Sequence, residues 1–317
     1  MAARVPSAAR GCSRRSATPG GQRVNARRGL GRRLAGAAPL VLAIAALSVV
    51  AGACDGGADD AGAAAAALAA AAAGGTAAPL SGKLTVFAAA SLGDAFRALG
   101  TAFTAAHPGT TVEFNFASSS ALATQIEQAA PADVFASADG AQVQRLAGQA
   151  LLAGQAAAFA RNRPVIVVPA ENRARIAAPR DLANAGVKLV LAAPDVPIGS
   201  YARQVIERLA ADPAYGATFR GAALRNVISN EPNVRAVLTK VELGEADAGI
   251  VYRTDALLSQ EKVRVVTISD AANVTATYPI AAVRAARHGD AAAAFIAFVL
   301  GVEGQHILAA YGFDAAQ

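Results

Sequence analysis

Hydrophobic and polar positions follow two rhythms along the chain from residue 84 onward. Short apolar runs such as residues 84–90, bounded by glycine or serine, predict buried strands. Longer stretches place apolar residues three or four positions apart, as Phe96, Leu99 and Phe103 do, and predict helices. The two kinds of segment alternate to the end of the chain, which indicates an α/β fold with mostly parallel sheets flanked by helices.

This pattern places nine strands and six helices. Strands are predicted at residues 84–90, 112–116, 133–137, 164–168, 188–192, 226–229, 248–252, 263–268 and 279–283. Helices are predicted at residues 92–103, 121–128, 141–152, 201–210, 233–243 and 290–311. Because the patterned region, residues 84–317, is longer than one typical domain, we expect two lobes with a ligand cleft between them.

The segment before this pattern has three parts. An arginine-rich stretch ends at Arg33, an apolar run covers residues 34–50, and small residues lead to Cys54. This order is typical of an export signal. Cys54 directly after small residues resembles the lipobox of bacterial lipoproteins, in which that cysteine is acylated and becomes the new N-terminus. Residues 1–53 are therefore predicted to be a lipoprotein-type export signal, with lipidation at Cys54.

A permanent transmembrane anchor is the alternative for the leader, because its 17 apolar residues lie at the short end of what spans a bilayer. Residues 54–81 consist largely of alanine and glycine and form no apolar stripe, which predicts a tether between anchor and domain. The other cysteine, Cys12, lies in the predicted signal, so no disulfide is expected in the mature protein.

Composition and charge exclude two further classes of protein. With 54% hydrophobic and 16% charged residues, the chain is not disordered as a whole. The net charge of +6 suggests a nucleic-acid partner, but nine arginines and no acid lie within residues 1–53. The remaining residues hold 20 basic and 23 acidic side chains. We therefore predict no nucleic-acid partner.

Enzyme signatures are scarce, whereas small hydroxyl-rich turns recur where predicted strands end and helices begin. The sequence has three histidines, none in a catalytic motif, and no Walker loop or nucleophile elbow. The turns lie at residues 88–92, 117–121, 196–201 and 231–234. Each one alone is explained as a helix N-cap. Together, converging helix N-termini are able to surround a tetrahedral anion with N–H donors.

Five of the motifs, in this order, resemble the molybdate-binding proteins of bacterial molybdate ABC transporters. They are VFAAASL at residues 86–92, FASSS at 116–120, APADVF at 130–135, VPIGSY at 196–201 and GIVY at 249–252. The resemblance extends from about residue 83 to residue 313. It implies a two-lobed type II periplasmic-binding-protein fold, with residues 82–161 and 277–317 in lobe 1 and residues 162–276 in lobe 2.

The resemblance also implies which residues hold the anion, through hydroxyls and backbone amides. The matching positions are Ser91, Ser119, Ile198, Val234 and Tyr252. Ile198 is larger than the residue familiar at its position, but a backbone N–H donor survives that change. Neutral donors suit an anion that is doubly charged at neutral pH.

The expected function is that of a lipid-anchored extracytoplasmic solute-binding protein. It would capture molybdate, and tungstate as well, and deliver the anion to an ABC permease. Neither enzyme activity, nor a cofactor, nor a bare metal cation is expected, and the protein is expected to be a monomer. Two alternatives stay open: a receptor for another oxyanion such as sulfate or phosphate, and an exported hydrolase with Ser91 or Ser119 as nucleophile.

Overall fold

The computed structural model describes residues 80–316, which lie within one compact unit. The predicted export signal, its lipidation site Cys54 and the tether up to residue 79 lie outside the described residues. Within residues 80–316 no single helix has both the length and the apolar character needed to cross a bilayer.

The described residues form two five-stranded sheets covered by helices. The strands are β1 Gly82–Ala89, β2 Thr110–Ala117, β3 Val134–Ala136, β4 Leu152–Asn162, β5 Pro164–Pro169, β6 Leu189–Ala192, β7 Val227–Glu231, β8 Ala248–Tyr252, β9 Val263–Val266 and β10 Ala276–Val283. The α-helices are α1 Gly93–Ala106, α2 Ser119–Glu127, α3 Gly140–Gly148, α4 Pro197–Ala211, α5 Phe219–Arg225, α6 Val234–Glu242, α7 Arg253–Leu258, α8 Gly289–Leu300 and α9 Val302–Ala310.

Each sheet forms the centre of one lobe. The first sheet has the strand order β2-β1-β3-β10-β4, and the second has the order β7-β6-β8-β5-β9. The chain passes from the first sheet to the second at Arg163 and returns between β9 and β10. Asn162 and Ala276, which the resemblance placed in lobe 2, pair with each other in the first sheet.

Both sheets are mixed, where mostly parallel sheets were predicted. In the first sheet β1 runs parallel to β2 and β3, whereas β10 runs antiparallel to β3 and β4. The second sheet has the same division, with β5 antiparallel to β8 and β9. The cause lies in the two crossings, because a strand that leaves a lobe must run opposite to the strand that enters it.

The core explains why these segments fold as they do. One cluster of buried side chains extends through both lobes. In lobe 1, Phe96 and Phe103 on the inner face of α1 pack edge-on against Phe295 of α8, with ring centroids 6.2 and 5.2 Å apart. Their spacing along α1 is the helical period visible in the sequence, and burying this stripe holds the helix against the sheet.

Three features depart from the predicted elements. Strand β4 was not predicted, and neither were the short helices α5 and α7. The single helix predicted at residues 290–311 is two helices, which meet at Gly301 with a bend of 62°. The bend brings backbone close to backbone, since a Cβ on Gly304 would lie 2.2 Å from the carbonyl oxygen of Phe298.

Candidate functional site

A small cavity lies between the two lobes. Each lobe contributes six lining residues: Ala89, Ala90, Ser91, Ser118, Ser119 and Ala138 from lobe 1, and Val196, Pro197, Ile198, Asn233, Val234 and Tyr252 from lobe 2. The lining comes from the ends of strands and the beginnings of helices, where ligands bind in many α/β proteins.

All five residues singled out in the sequence line this one cavity. Each is at least 96% buried. Ser91 lies in a 3₁₀ turn that follows β1, Tyr252 ends β8, and the other three lie in the first turns of α2, α4 and α6. The structure thus brings together residues that are up to 161 positions apart in the sequence.

Three helix N-termini are directed at the cavity with some N–H donors left free. Ser118 caps α2 by accepting from the N–H of Ala121, and Asn233 caps α6 by accepting from the N–H of Ala236. Capping of this kind satisfies the third N–H of a helix and leaves the first two unpaired. The free N–H groups carry partial positive charge, so they favour an anion in the cavity.

Helix α4 reaches the cavity because Gly199 allows a close approach. A Cβ on Gly199 would lie 2.0 Å from the carbonyl oxygen of Ala193 and 2.6 Å from that of Ala192. Pro197 occupies the first position of the helix, where an N–H would have no partner, and the N–H groups of Ile198 and Gly199 follow it. Arg203 fixes the same turn by donating to the carbonyl oxygens of Ala192 and Gly199, at 2.9 and 2.8 Å.

Lobe 1 supplies two serine hydroxyls, and each already has a polar neighbour. Ser119 Oγ accepts from the N–H of Ala138 at 2.9 Å, which leaves the hydroxyl hydrogen free to donate into the cavity. Ser91 Oγ lies 3.1 Å from the hydroxyl oxygen of Tyr278 on β10. Both serines are therefore held by hydrogen bonds as well as by packing.

Among the described side chains of this wall, the Tyr252 hydroxyl is the polar group that lacks a hydrogen-bond partner. The side chain is 1% exposed, and among residues 80–316 its oxygen has no hydrogen-bond partner. Burial, together with the neighbouring phenol of Tyr278, raises the pKa of Tyr252 well above its ordinary value, so the group stays protonated. An unpaired buried hydroxyl costs about 1–3 kcal/mol, which a ligand accepting this hydrogen bond would recover.

The lining is uncharged, and a chain of ionised side chains lies just beyond it. Among the described residues that line the cavity, none is acidic, basic or histidine. Arg235, next to Val234, pairs with Asp94 of lobe 1 at 2.9 Å and with the fully buried Asp255 of lobe 2 at 2.7 Å. This bridge joins the lobes beside the cavity.

One further carboxylate lies behind the wall. Asp139 follows the lining residue Ala138, is 9% exposed and caps α3 by accepting from the N–H of Gln142. Burial raises the pKa of Asp139 above its ordinary value.

Other chemistry finds little support in the described part of the chain. Within residues 80–316 no group of histidine, cysteine, aspartate and glutamate side chains could hold a metal ion. In the same range neither Ser91 nor Ser119 is hydrogen-bonded to a histidine or a carboxylate. A hydrolase would need such a base beside its nucleophile.

Sequence reasoning missed several residues that support the site. Ser118 and Asn233 were noted only as parts of their turns, and Tyr278, Arg235 and Asn162 were not singled out. Asn162 donates to the hydroxyls of Thr254 and Tyr278, which are 92 and 116 positions away. Contacts of that range leave no local pattern, so the sequence carried no signal for them.

Comparison with known proteins gives consistent matches. The family model described as bacterial extracellular solute-binding protein matches residues 84–314. The molybdate-binding protein ModA of Mycobacterium tuberculosis (strain ATCC 25618 / H37Rv) is 42% identical over 239 residues, which is 75% of this chain and 87% of that protein. The resemblance found in the sequence is thereby confirmed.

Two solved structures share the fold. The substrate-binding domain assigned to a molybdenum ABC transporter of Clostridium difficile has a TM-score of 0.56 and 28% identity, and the match covers 74% of this chain and 99% of that one. The sulfate-binding protein SubI of M. tuberculosis H37Rv has a TM-score of 0.67 and 21% identity, covering 74% and 87%. The second match shows the fold alone. The predicted two-lobed α/β binding-protein fold is confirmed.

Proposed function

Because the chain belongs to the bacterial extracellular solute-binding protein family, we propose that it captures molybdate outside the cytoplasm and delivers it to an ABC permease. The observation that carries this proposal is the convergence of Ser91, Ser119, Ile198, Val234 and Tyr252 on one uncharged cavity. Tungstate, which has nearly the same size and charge, is proposed as a second ligand.

The donors explain how a neutral pocket holds a dianion. Two hydroxyls and one phenol project from side chains, and the first turns of α2, α4 and α6 add backbone N–H groups. Hydrogen bonds to an ionised acceptor are roughly twice as strong as those between neutral groups. Since the fold of each lobe fixes the donors of that lobe, little reorganisation within a lobe opposes binding.

Shape then separates one oxyanion from another. A smaller tetrahedron such as sulfate does not reach all of the donors at once. Each donor left unpaired costs about 1–3 kcal/mol, so two such losses lower affinity by about 30-fold or more. Molybdate and tungstate satisfy the same donors, and we expect both to bind.

Calorimetric titration with molybdate, tungstate, sulfate and phosphate tests this assignment. The expected result is saturable binding of the first two anions, with sulfate and phosphate at least about 30-fold weaker. Preferential binding of sulfate or phosphate would establish the alternative receptor instead. Failure to bind any of the four would overturn the proposal.

Tyr252→Phe tests the site itself. The variant removes the unpartnered hydroxyl without changing the packed ring, so we expect about tenfold weaker molybdate binding and unchanged or slightly higher thermal stability. Tyr215→Phe is the matched control, because that tyrosine lies in the same lobe but outside the cavity lining. Equal affinities of the two variants would remove Tyr252 from the proposed site.

We also propose that Cys54 carries the lipid that anchors the exported protein to the membrane. The support is the order of the leader: arginine-rich stretch, apolar run, small residues and cysteine. Metabolic labelling with a fatty-acid analogue should label the wild type and leave Cys54→Ala unlabelled. An unlabelled wild type that stays in the membrane with its leader intact would favour the transmembrane anchor.

A further inference from the structure

The Ser91 hydroxyl lies in a different setting from the Ser119 hydroxyl. Ser119 Oγ accepts from a backbone N–H, which only donates, so the direction of that hydrogen bond is fixed. Ser91 Oγ faces the Tyr278 hydroxyl at 3.1 Å, and hydroxyl pairs can donate in either direction. The anion receives a hydrogen bond from Ser91 only if Tyr278 is the donor of this pair.

The neighbours of Tyr278 determine that direction. Its side chain is 0% exposed, and within residues 80–316 two hydrogen-bond partners lie within 3.5 Å of its oxygen, Ser91 Oγ and Asn162 Nδ2. The amide nitrogen of Asn162 can only donate. The hydroxyl hydrogen of Tyr278 is therefore left with Ser91 Oγ as its acceptor, because a buried hydroxyl without an acceptor is costly.

The orientation of the Asn162 amide is itself determined by the backbone. Asn162 Oδ1 accepts from the N–H of Arg163 at 2.9 Å, so the amide nitrogen must face the other way. On that side it donates to Thr254 Oγ1 at 2.9 Å and to the Tyr278 oxygen at 3.5 Å. Asn162 is 0% exposed and ends β4, directly before the chain crosses to lobe 2.

We propose that Tyr278 is a positioning residue for the anion, which acts through Ser91 and is itself oriented by Asn162. Donation runs from Asn162 to Tyr278, from Tyr278 to Ser91, and from Ser91 into the cavity. This inference rests on the proposed function. It makes Ser91 a donor and not an acceptor, so the site favours an oxyanion without a proton.

A double-mutant cycle separates this role from a merely structural one. We expect Tyr278→Phe to weaken molybdate binding about tenfold in the wild-type background, the loss of one well-placed hydrogen bond. In the Ser91→Ala background the same substitution should change affinity less than about twofold, because its effect passes through the missing hydroxyl. Tyr311→Phe, a tyrosine of the same lobe outside the cavity lining, is the control and should change neither.

Selectivity gives a second readout. Without Tyr278 the Ser91 hydroxyl is free to rotate and accept, so the preference for molybdate over hydrogen phosphate should fall at least about threefold. A general loosening of the fold would weaken both anions alike and leave the ratio unchanged. Thermal unfolding of each variant confirms that the compared proteins are folded.

The outcomes distinguish this inference from the function on which it depends. Strong molybdate binding by the wild type, together with equal effects of Tyr278→Phe in both backgrounds, would overturn the positioning role and leave the proposed function intact. Non-additive effects with a changed selectivity ratio would support it. A wild type that binds none of the oxyanions would overturn both.

Discussion

The two lobes contribute equal numbers of residues to the cavity but different proportions of side-chain and backbone donors. Lobe 1 offers two serine hydroxyls together with the backbone N–H groups of one helix, α2, and lobe 2 offers the backbone N–H groups of two helices together with one phenol. A hydroxyl rotates about its C–O bond, so it needs a second, fixed donor to orient it, such as the N–H of Ala138 for Ser119. A helical N–H needs none, because the helix orients it.

This difference determines whether a substitution should change the affinity for the anion or the stability of the protein. At Ser91 and Ser119 of lobe 1 the proposed donor is the side-chain hydroxyl, so we expect its chemical identity to matter. At Ile198 and Val234 of lobe 2 the proposed donor is the backbone N–H, so we expect the side chain to matter only through packing. Substitutions therefore separate the lobes by whether affinity or stability responds.

The largest effect should come from Ile198→Ala. The side chain is 1% exposed, so its truncation should destabilise the protein by about 2–5 kcal/mol while molybdate affinity stays within about threefold. Ile206→Ala, on the same helix and equally buried, is the control and should behave alike in both respects. Urea unfolding and titration below the unfolding temperature measure the two quantities. A large loss of affinity in Ile198→Ala but not in Ile206→Ala would contradict the proposal that the Ile198 side chain matters only through packing.

Each lobe also buries an aspartate in its own setting, and the pH dependence of stability tests the setting of Asp255 in lobe 2. In lobe 1, Asp133 is held by the backbone N–H groups of Thr85, Arg287 and His288. In lobe 2, burial raises the pKa of Asp255 to about 6, although Arg235 beside it acts in the opposite direction. The folded-state pKa thus exceeds the value of about 3.9 for an unfolded aspartate.

Proton linkage determines the direction in which stability changes with pH. The folded protein binds this proton more tightly, so the stabilising contribution is complete below about pH 4 and is lost as the pH rises through 6. Between pH 4 and pH 6 the free energy of unfolding of the wild type should fall by up to about 3 kcal/mol, and that of Asp255→Asn should not show this fall. Urea unfolding from pH 4 to 7 measures it, with the exposed Asp270→Asn as control. Parallel curves for wild type and Asp255→Asn would contradict this assignment.

Gly199→Ala should have the next largest effect. Its Cβ would collide with the carbonyl oxygen of Ala193, so the N-terminus of α4 must shift, at about 1–3 kcal/mol in stability. Because the shift moves the N–H of Ile198, molybdate affinity should also fall, by tenfold or more. In Gly148→Ala the new Cβ meets nothing within 4 Å, and neither quantity should fall. Unchanged affinity in Gly199→Ala would show that α4 contributes no donor.

The smallest effect is expected from the ion pair that joins the lobes. Asp94 and Arg235 are both partly exposed, and such pairs contribute about 0–1 kcal/mol. Asp94→Asn should therefore raise the dissociation rate of molybdate by at most about fivefold, and less at high salt. Lys83→Gln breaks an exposed pair with Glu113 within lobe 1 and should leave the rate unchanged. Slower dissociation from Asp94→Asn would contradict a bridging role.

The sequence predicted most of the fold because buried strands and amphipathic helices leave local periodicities. It missed β4, whose residues LAGQAAAFARN contain neither β-branched side chains nor a clear alternation. That strand exists because β10 pairs with it along its length, which is a tertiary cause. The mixed sheets were missed for a related reason, since strand direction depends on where the chain crosses between lobes.

The candidate site likewise contains residues that the sequence predicted and residues that it did not. Ser91, Ser119, Ile198, Val234 and Tyr252 belong to short turns with a recognisable local pattern, and the structure gathers them at one cavity. The residues that orient or bridge them come from distant parts of the chain, as Tyr278 does for Ser91 at 187 positions. Periodicity and motif matching report on neighbours in sequence, so this supporting layer became visible only in three dimensions.

The equal division of the cavity wall has a kinetic consequence. Since each lobe supplies half of the lining, neither lobe alone surrounds the cavity, and an anion bound there would crosslink the two lobes. Escape then requires the halves to separate, so the residence time measures the frequency of opening and not the strength of any one hydrogen bond. A transporter that pulls the lobes apart would discharge the cargo without competing for it.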